Sequence, residues 1–211
     1  MKHKDMILRT PFAERICHWV MVICFMLVAL TGLSWFFPSM SWLSNVLGTP
    51  QLARILHPFL GVVVFLALMF LFVRLVKYNL PEPEDRLWFA NVKDVLMGRH
   101  NKALQVGKYN AGQKLLFWGI MGLISLLLIS GVLIWRPYFA PFFPIPVIRV
   151  GALMHSLTGI CLILLIIGHA YMGFWVKGSI GGMVTGYVSR KWAKTHHDRW
   201  FKQINTKKDN Q

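Results

Sequence analysis

Four of the eight histidines in this chain, His18, His57, His155 and His169, stand inside long apolar runs that carry no Asp, Glu, Lys or Arg. An ionisable ring in such surroundings is costly unless it has a partner, so each is a candidate functional group. The runs are 16–37, 55–73, 115–135 and 150–176, each close to the roughly 20 apolar residues a helix needs to cross a hydrocarbon layer. Successive spans alternate in direction. His18, early in the first run, and His169, late in the fourth, therefore fall at one surface. His57 and His155, early in the second and fourth runs, fall at the other. Each histidine has one counterpart at matching depth on another helix.

Helical geometry sharpens the pattern. Fourteen residues separate His155 from His169, which is about 21 Å of helix and about 40° short of four full turns, so the two share a face. Imidazoles on one stripe, each facing a partner, are the constellation for two stacked bis-histidine haems. The expected couples are His18 with His169 and His57 with His155, and haems so placed form an electron wire across the layer. Attachment is expected to be noncovalent, as haem b, because Cys17-His18 lacks the earlier cysteine of a C-x-x-C-H motif. Zinc is disfavoured, since neither couple has an accompanying Asp, Glu or third His. Met154 and Met172 are possible axial ligands that the pairing does not need. Gly32 lies fourteen residues after His18, and Gly61, Gly159 and Gly173 each follow a paired histidine by four. Missing side chains there admit a flat macrocycle, and small-residue packing between membrane helices explains them equally well. His3, His100, His196 and His197 fall in basic polar segments and read as solvated surface.

These spacings need membrane helices to realise them, and the composition supplies them. Of 211 residues, 55% are hydrophobic and only 15% charged. The apolar runs are continuous rather than alternating, which selects helices over a membrane barrel. The expected fold is an all-α membrane protein, a single domain over 1–211 with four transmembrane helices in a bundle and a basic tail at 177–211. Cys17, Cys24 and Cys161 all lie in apolar stretches and make no disulfide framework. No cleavable signal is evident, since the first run follows a polar segment and is long for a signal peptide.

Lys and Arg number four in the N-terminal segment, eight in the 74–114 connection and eight from 177 onward, against three elsewhere (Arg54, Arg136 and Arg149). That bias places both termini and the middle loop in the cytoplasm. It also accounts for the net charge of +15 as an insertion signal and an attraction to anionic lipids, which disfavours nucleic acid as partner. Prolines punctuate the outer loops. The stretch Arg86–Met97 is expected as a short interfacial helix, and Trp192 and Trp200 as headgroup anchors of the tail. The polar segment Gly107–Lys114, on the side of His18 and His169, offers amide donors at Asn110 and Gln113 and an approachable backbone N–H at Gly112. A lipid-soluble quinone needs such donors; a plain helix start would use Asn110 and Gly112 as well.

Several short motifs complete the picture: Cys17-His18-Trp19, Arg54-Ile-Leu-His57-Pro58, Val106-Gly-Lys-Tyr-Asn-Ala-Gly-Gln113, Trp135-Arg-Pro-Tyr-Phe139, Phe174-Trp-Val-Lys-Gly-Ser179 and Val188-Ser-Arg-Lys-Trp-Ala193. In these the chain resembles, over nearly its whole length, the cytochrome b556 (gamma) subunits of respiratory, membrane-bound formate dehydrogenases of the N/O type. The resemblance implies a bacterial inner-membrane complex. In it a molybdenum or tungsten catalytic (alpha) subunit oxidises formate, and an iron–sulfur (beta) subunit delivers electrons to an outer haem on His57 and His155. An inner haem on His18 and His169 then reduces menaquinone beside His169, Asn110 and Gly112. The chain itself is expected to carry electrons and reduce quinone, with formate oxidation on another subunit and a higher oligomer possible for the complex. The nearest competitor is the cytochrome b of a quinone-reactive nickel–iron hydrogenase. A small histidine-using proton or metal transporter, and a purely structural anchor, are the readings from other classes.

Overall fold

The computed structural model describes residues 5–97 and 105–209; His3 and His100, with Lys2 and Lys4, lie outside the described residues. Chain order is β1 (Met6–Leu8), α1 (Phe12–Phe36), α2 (Pro50–Leu75), α3 (Glu84–Ala90), α4 (Val92–Leu96), α5 (Ala111–Ile134), α6 (Ile145–Trp175), α7 (Gly181–Val184), β2 (Tyr187–Ser189), α8 (Arg190–His196) and α9 (Asp198–Asp209). Short 3-10 turns occupy Pro38–Leu47, Val76–Tyr78 and Ala140–Phe142. Among the described residues four helices are long and apolar enough to span a membrane, and they contain the four expected runs.

Each long helix begins four or five residues before its apolar run. Charged and polar residues such as Glu14, Arg54, Lys114 and Arg149 end the apolar stretch, but the backbone hydrogen bonding that favours helix continues past them. Proline sets several boundaries: Pro50 opens α2 and Pro146 sits in the first turn of α6, where a missing N–H does no harm. Pro58 is different, because it lies inside α2 directly after His57. It withdraws the N–H that the Arg54 carbonyl would otherwise receive. The interfacial stretch expected at 86–97 forms as two short helices, α3 and α4, divided at Asn91, whose side-chain amide donates to the Leu87 carbonyl at 2.8 Å.

One compact unit comprises Ile16–Val73 and Gly119–Ala170 and draws on all four long helices. Its buried positions are rich in small and hydroxyl residues, among them Thr31, Ser34, Ala53, Ser130, Gly151 and Thr158. Many of its bulky apolar residues, such as Ile23, Leu66, Ile129 and Leu164, are exposed, while Leu68, Ile124 and Leu162 are buried. That inversion suits a lipid environment, where close helix packing rather than hydrophobic burial drives association.

The second unit comprises the segment up to Arg15, Arg74–Trp118 and the chain from Tyr171 on. Strands β1 and β2 pair antiparallel, with Ile7 opposite Val188. The pairing ends at Gly186, whose carbonyl accepts from the N–H groups of Arg9 (2.8 Å) and Thr10 (3.2 Å). Its φ of +91°, a value open to glycine and strained for other residues, makes that return possible. Trp192 and Trp200 do not act as headgroup anchors here. They join Ile7, Val188 and Ala193 in a small buried core against which Phe201 and Ile204 pack. Positions 192 and 193 of α8 and 200, 201 and 204 of α9 turn to this cluster, which Ile7 and Val188 of the strand pair complete.

Candidate functional site

In the first unit α6 carries two of the four membrane histidines and meets a partner at each. The rings of His18 (α1) and His169 stand 6.4 Å apart between centroids, with planes inclined by 65°. Those of His57 (α2) and His155 stand 6.3 Å apart, inclined by 59°. A ligating nitrogen lies about 2.0 Å from a first-row metal and about 1.1 Å from its own ring centre, so two imidazoles sharing one ion stand about 6.2 Å apart. Two imidazoles that share an ion need not be coplanar, so inclined planes are no obstacle. The two expected couples are thus brought together, each at a separation that one metal ion spans.

Hydroxyl groups hold both members of the second couple. Thr31 Oγ1 lies 2.7 Å from His57 Nδ1 and donates to the Leu27 carbonyl at 2.9 Å. Ser130 Oγ lies 3.0 Å from His155 Nδ1 and donates to the Leu126 carbonyl at 2.6 Å. Sequence reasoning passed over both residues, although a hydroxyl followed by glycine recurs at Thr31-Gly32 and Ser130-Gly131. Gly32 borders the ring of His57, not His18: a Cβ added there would stand 3.8 Å from His57 Cε1. At Gly131 an added Cβ would stand 3.3 Å from His155 Cε1. Gly61 and Gly173 have no atom within 4 Å of such a Cβ, whereas Gly159 would meet Leu127 in ordinary contact. His18 Nδ1 is buried without a hydrogen-bond partner among the described residues.

The polar stretch at Asn110 is in the second unit. Asn110 Oδ1 accepts from the backbone N–H of Gln113 at 2.8 Å, and Gln113 Oε1 accepts from that of Asn110 at 3.0 Å. This reciprocal capping box starts α5. It uses the amide oxygens and leaves both donating amide nitrogens outside the box. Gly112 lies against Trp88, whose Cη2 would be 2.7 Å from an added Cβ. Lys114, buried, is held by Glu82 at 3.0 Å and Asp85 at 2.9 Å. Asn110, Tyr109, Gly107, Trp88, Asp85 and Arg199 line a common cleft.

His197, expected as solvated surface, is instead only 2% exposed. Its Nδ1–H donates to the Gly107 carbonyl at 2.8 Å, and Nε2 faces the buried Arg9 guanidinium at 3.4 Å. Arg9 itself lies over the Trp200 ring at 4.5 Å and donates to the Lys108 carbonyl. His197 is the residue between α8 and α9, and Gly107, Arg9, Trp192 and Trp200 close around its ring. His196, its neighbour, is half-buried beside Trp192. Burial, and then the Arg9 charge, push the His197 pKa down to about 3.

An unfolded chain titrates this histidine near about 6.5. Between that pH and about 3 the unfolded state takes up a proton that the folded state refuses, so stability falls as pH falls through the window. Melting of the purified protein is therefore expected at progressively lower temperature from pH 7 to pH 4, with a shallower slope in His197→Gln. An equally steep slope in that variant would assign the effect to other groups.

Comparison with known proteins adds a decisive match. A family profile described as prokaryotic cytochrome b561 fits residues 9–186. The chain belongs to the prokaryotic cytochrome b561 family. Within that breadth of cytochromes, the cytochrome b556 subunit of the nitrate-inducible formate dehydrogenase of Escherichia coli is 56% identical over 204 residues, 97% of this chain and 94% of that subunit. A second formate dehydrogenase cytochrome b556 subunit of the same organism is 47% identical over 204 residues, covering 97% and 96%. The corresponding subunit of Haemophilus influenzae is 46% identical over 195 residues, covering 92% and 81%.

A cytochrome of the b561 family is an integral membrane helical bundle and binds haem b. The donor set here fits that group. Paired imidazoles at metal-spanning separation in apolar helices are what a noncovalent bis-histidine haem requires. All four membrane histidines fall inside the matched region, while His197 and α9 lie beyond it.

Proposed function

We infer that this cytochrome holds two b haems, one on His18 and His169 and one on His57 and His155. It would serve as the electron-carrying, quinone-reducing membrane subunit of a formate:quinone oxidoreductase. The observation that carries the reading is the double coincidence of ring separations, 6.4 and 6.3 Å. When bound, each haem supplies a one-electron carrier of tunable potential. The chain's own part is to fix the axial nitrogens, to keep water from them with apolar helices, and to present donors to a quinone. Asn110, Gln113 and Gly112 are the proposed quinone-binding groups. Two amide N–H groups left over from the capping box support that role at Asn110 and Gln113.

The distribution of Lys and Arg supports an orientation with both termini in the cytoplasm of a bacterial inner membrane. An iron–sulfur subunit and a molybdenum or tungsten catalytic subunit would then deliver electrons at the outer surface, and menaquinone would take its protons inside. Each electron moved inward against the potential is worth about 2.3 kcal/mol per 100 mV, so the cytochrome would contribute directly to proton-motive force. The names of the relatives favour formate over hydrogen as the upstream donor. In membranes containing the assembled complex, formate is expected to reduce the b-type absorbance and a menaquinone analogue to reoxidise it. Reduction by hydrogen and not by formate would overturn the reading in favour of a hydrogenase cytochrome.

A further inference from the structure

The two histidine couples differ in what stands behind them. Each ring of the His57–His155 couple is backed by a hydroxyl on a neighbouring helix: Thr31 on α1 behind His57 on α2, and Ser130 on α5 behind His155 on α6. The arrangement is the same in both. A hydroxyl has one proton, and each of these two lies within hydrogen-bond reach of a backbone carbonyl four residues earlier in its own helix, Leu27 at 2.9 Å and Leu126 at 2.6 Å. With its proton given to that carbonyl, the oxygen has only lone pairs left to offer, so it accepts from Nδ1–H. A ring protonated at Nδ1 has its free lone pair at Nε2. Thr31, fully buried, and Ser130, 5% exposed, cannot exchange this role for hydration. Behind each hydroxyl a glycine lets the ring lie close against the helix, at 3.8 Å for Gly32 and 3.3 Å for Gly131 from an added Cβ to the imidazole Cε1. In the other couple, by contrast, His18 Nδ1 is buried with no partner among the described residues.

We propose that Thr31 and Ser130 are positioning residues that lock His57 and His155 in the tautomer presenting Nε2 to iron, and that they lower the potential of the haem held there relative to the other. The proposal rests on the reading of these histidines as axial ligands. Its physical basis is general: an imidazole that donates its second N–H to an acceptor becomes a more basic ligand. A more basic ligand stabilises ferric over ferrous iron, which lowers the potential. Two such bonds act on one haem. The unpartnered His18 gives its couple less of this electron push, so the built-in gradient runs from the His57–His155 haem to the His18–His169 haem.

The test is a redox titration, followed by optical and paramagnetic resonance spectra, of the purified complex carrying Thr31→Val, Ser130→Ala or Thr31→Ser. Valine keeps the shape of threonine and removes the acceptor; serine keeps the acceptor. Thr31→Val and Ser130→Ala are each expected to raise one haem midpoint and leave the other in place, with Thr31→Ser close to the parent. Loss of one haem from Thr31→Val, with both retained in Thr31→Ser, would equally support the locking role. Unmoved or lowered midpoints with both haems present would overturn the proposal, as would a Thr31→Ser variant behaving like Thr31→Val. A parent complex with fewer than two haems per chain would overturn the ligand assignment beneath it, so the two failures are separable.

Discussion

Replacing His57 with alanine is expected to strip this cytochrome of about half its haem and to abolish formate-driven quinone reduction. The effect is large because the couple loses one of its two imidazoles. His155 would lose the imidazole that stands opposite it, 6.3 Å away between ring centroids. The haem on His18 and His169 would remain, since that couple lies on different turns of α1 and α6 and shares no residue with the first. The remaining haem should stay dark to formate yet become reduced when a quinol is supplied. Haem content by pyridine haemochrome and the spectrum after each reductant check the outcome. Retention of both haems in His57→Ala would contradict the assignment.

The mirror variant, His18→Ala, gives the opposite signature and the second large effect. Formate should reduce the surviving haem, and that haem should stay reduced when a quinone is added, because the last carrier of the proposed pathway is gone. Quinol should fail to reduce it. Neither single variant alone distinguishes a two-step wire from two independent sites; the exchange of reductant sensitivity between them does. A His18→Ala complex that still reoxidises with quinone at the parental rate would remove the inner couple from the pathway.

The pairing of histidines was legible in the sequence because two strong regularities meet there. An ionisable ring in a continuous apolar run is rare enough to flag itself, and the fourteen-residue spacing of His155 and His169 converts directly into a shared helix face. The helices were legible for the same reason, but their first turns were not: Glu14 and Lys114 end the apolar runs and yet lie within α1 and α5. Thr31 and Ser130 stayed hidden because serine and threonine are ordinary in membrane helices, where they return a hydrogen bond to their own backbone. Only the fold shows that these two also meet an imidazole.

The second unit was harder to read. Strands of three residues each, Met6–Leu8 and Tyr187–Ser189, are joined across almost the whole chain, and neither is long enough to show alternation. Ile7 and Val188 of that pair pack with Trp192 and Trp200, so a tail whose charges read as solvated contains a core. The apolar positions 193, 200, 201 and 204 were the available signal, diluted by the break between α8 and α9. At Asn110 the capping box confirms a helix start and leaves the amide N–H groups over, so one residue can serve both purposes.

The most direct test of the two-couple account is the haem content of the purified complex, measured per copy of this chain, together with the low-spin signature of bis-histidine iron. Two b haems, both low-spin and each lost separately with one couple, is the predicted result. A single haem, or iron with one axial histidine only, would contradict it.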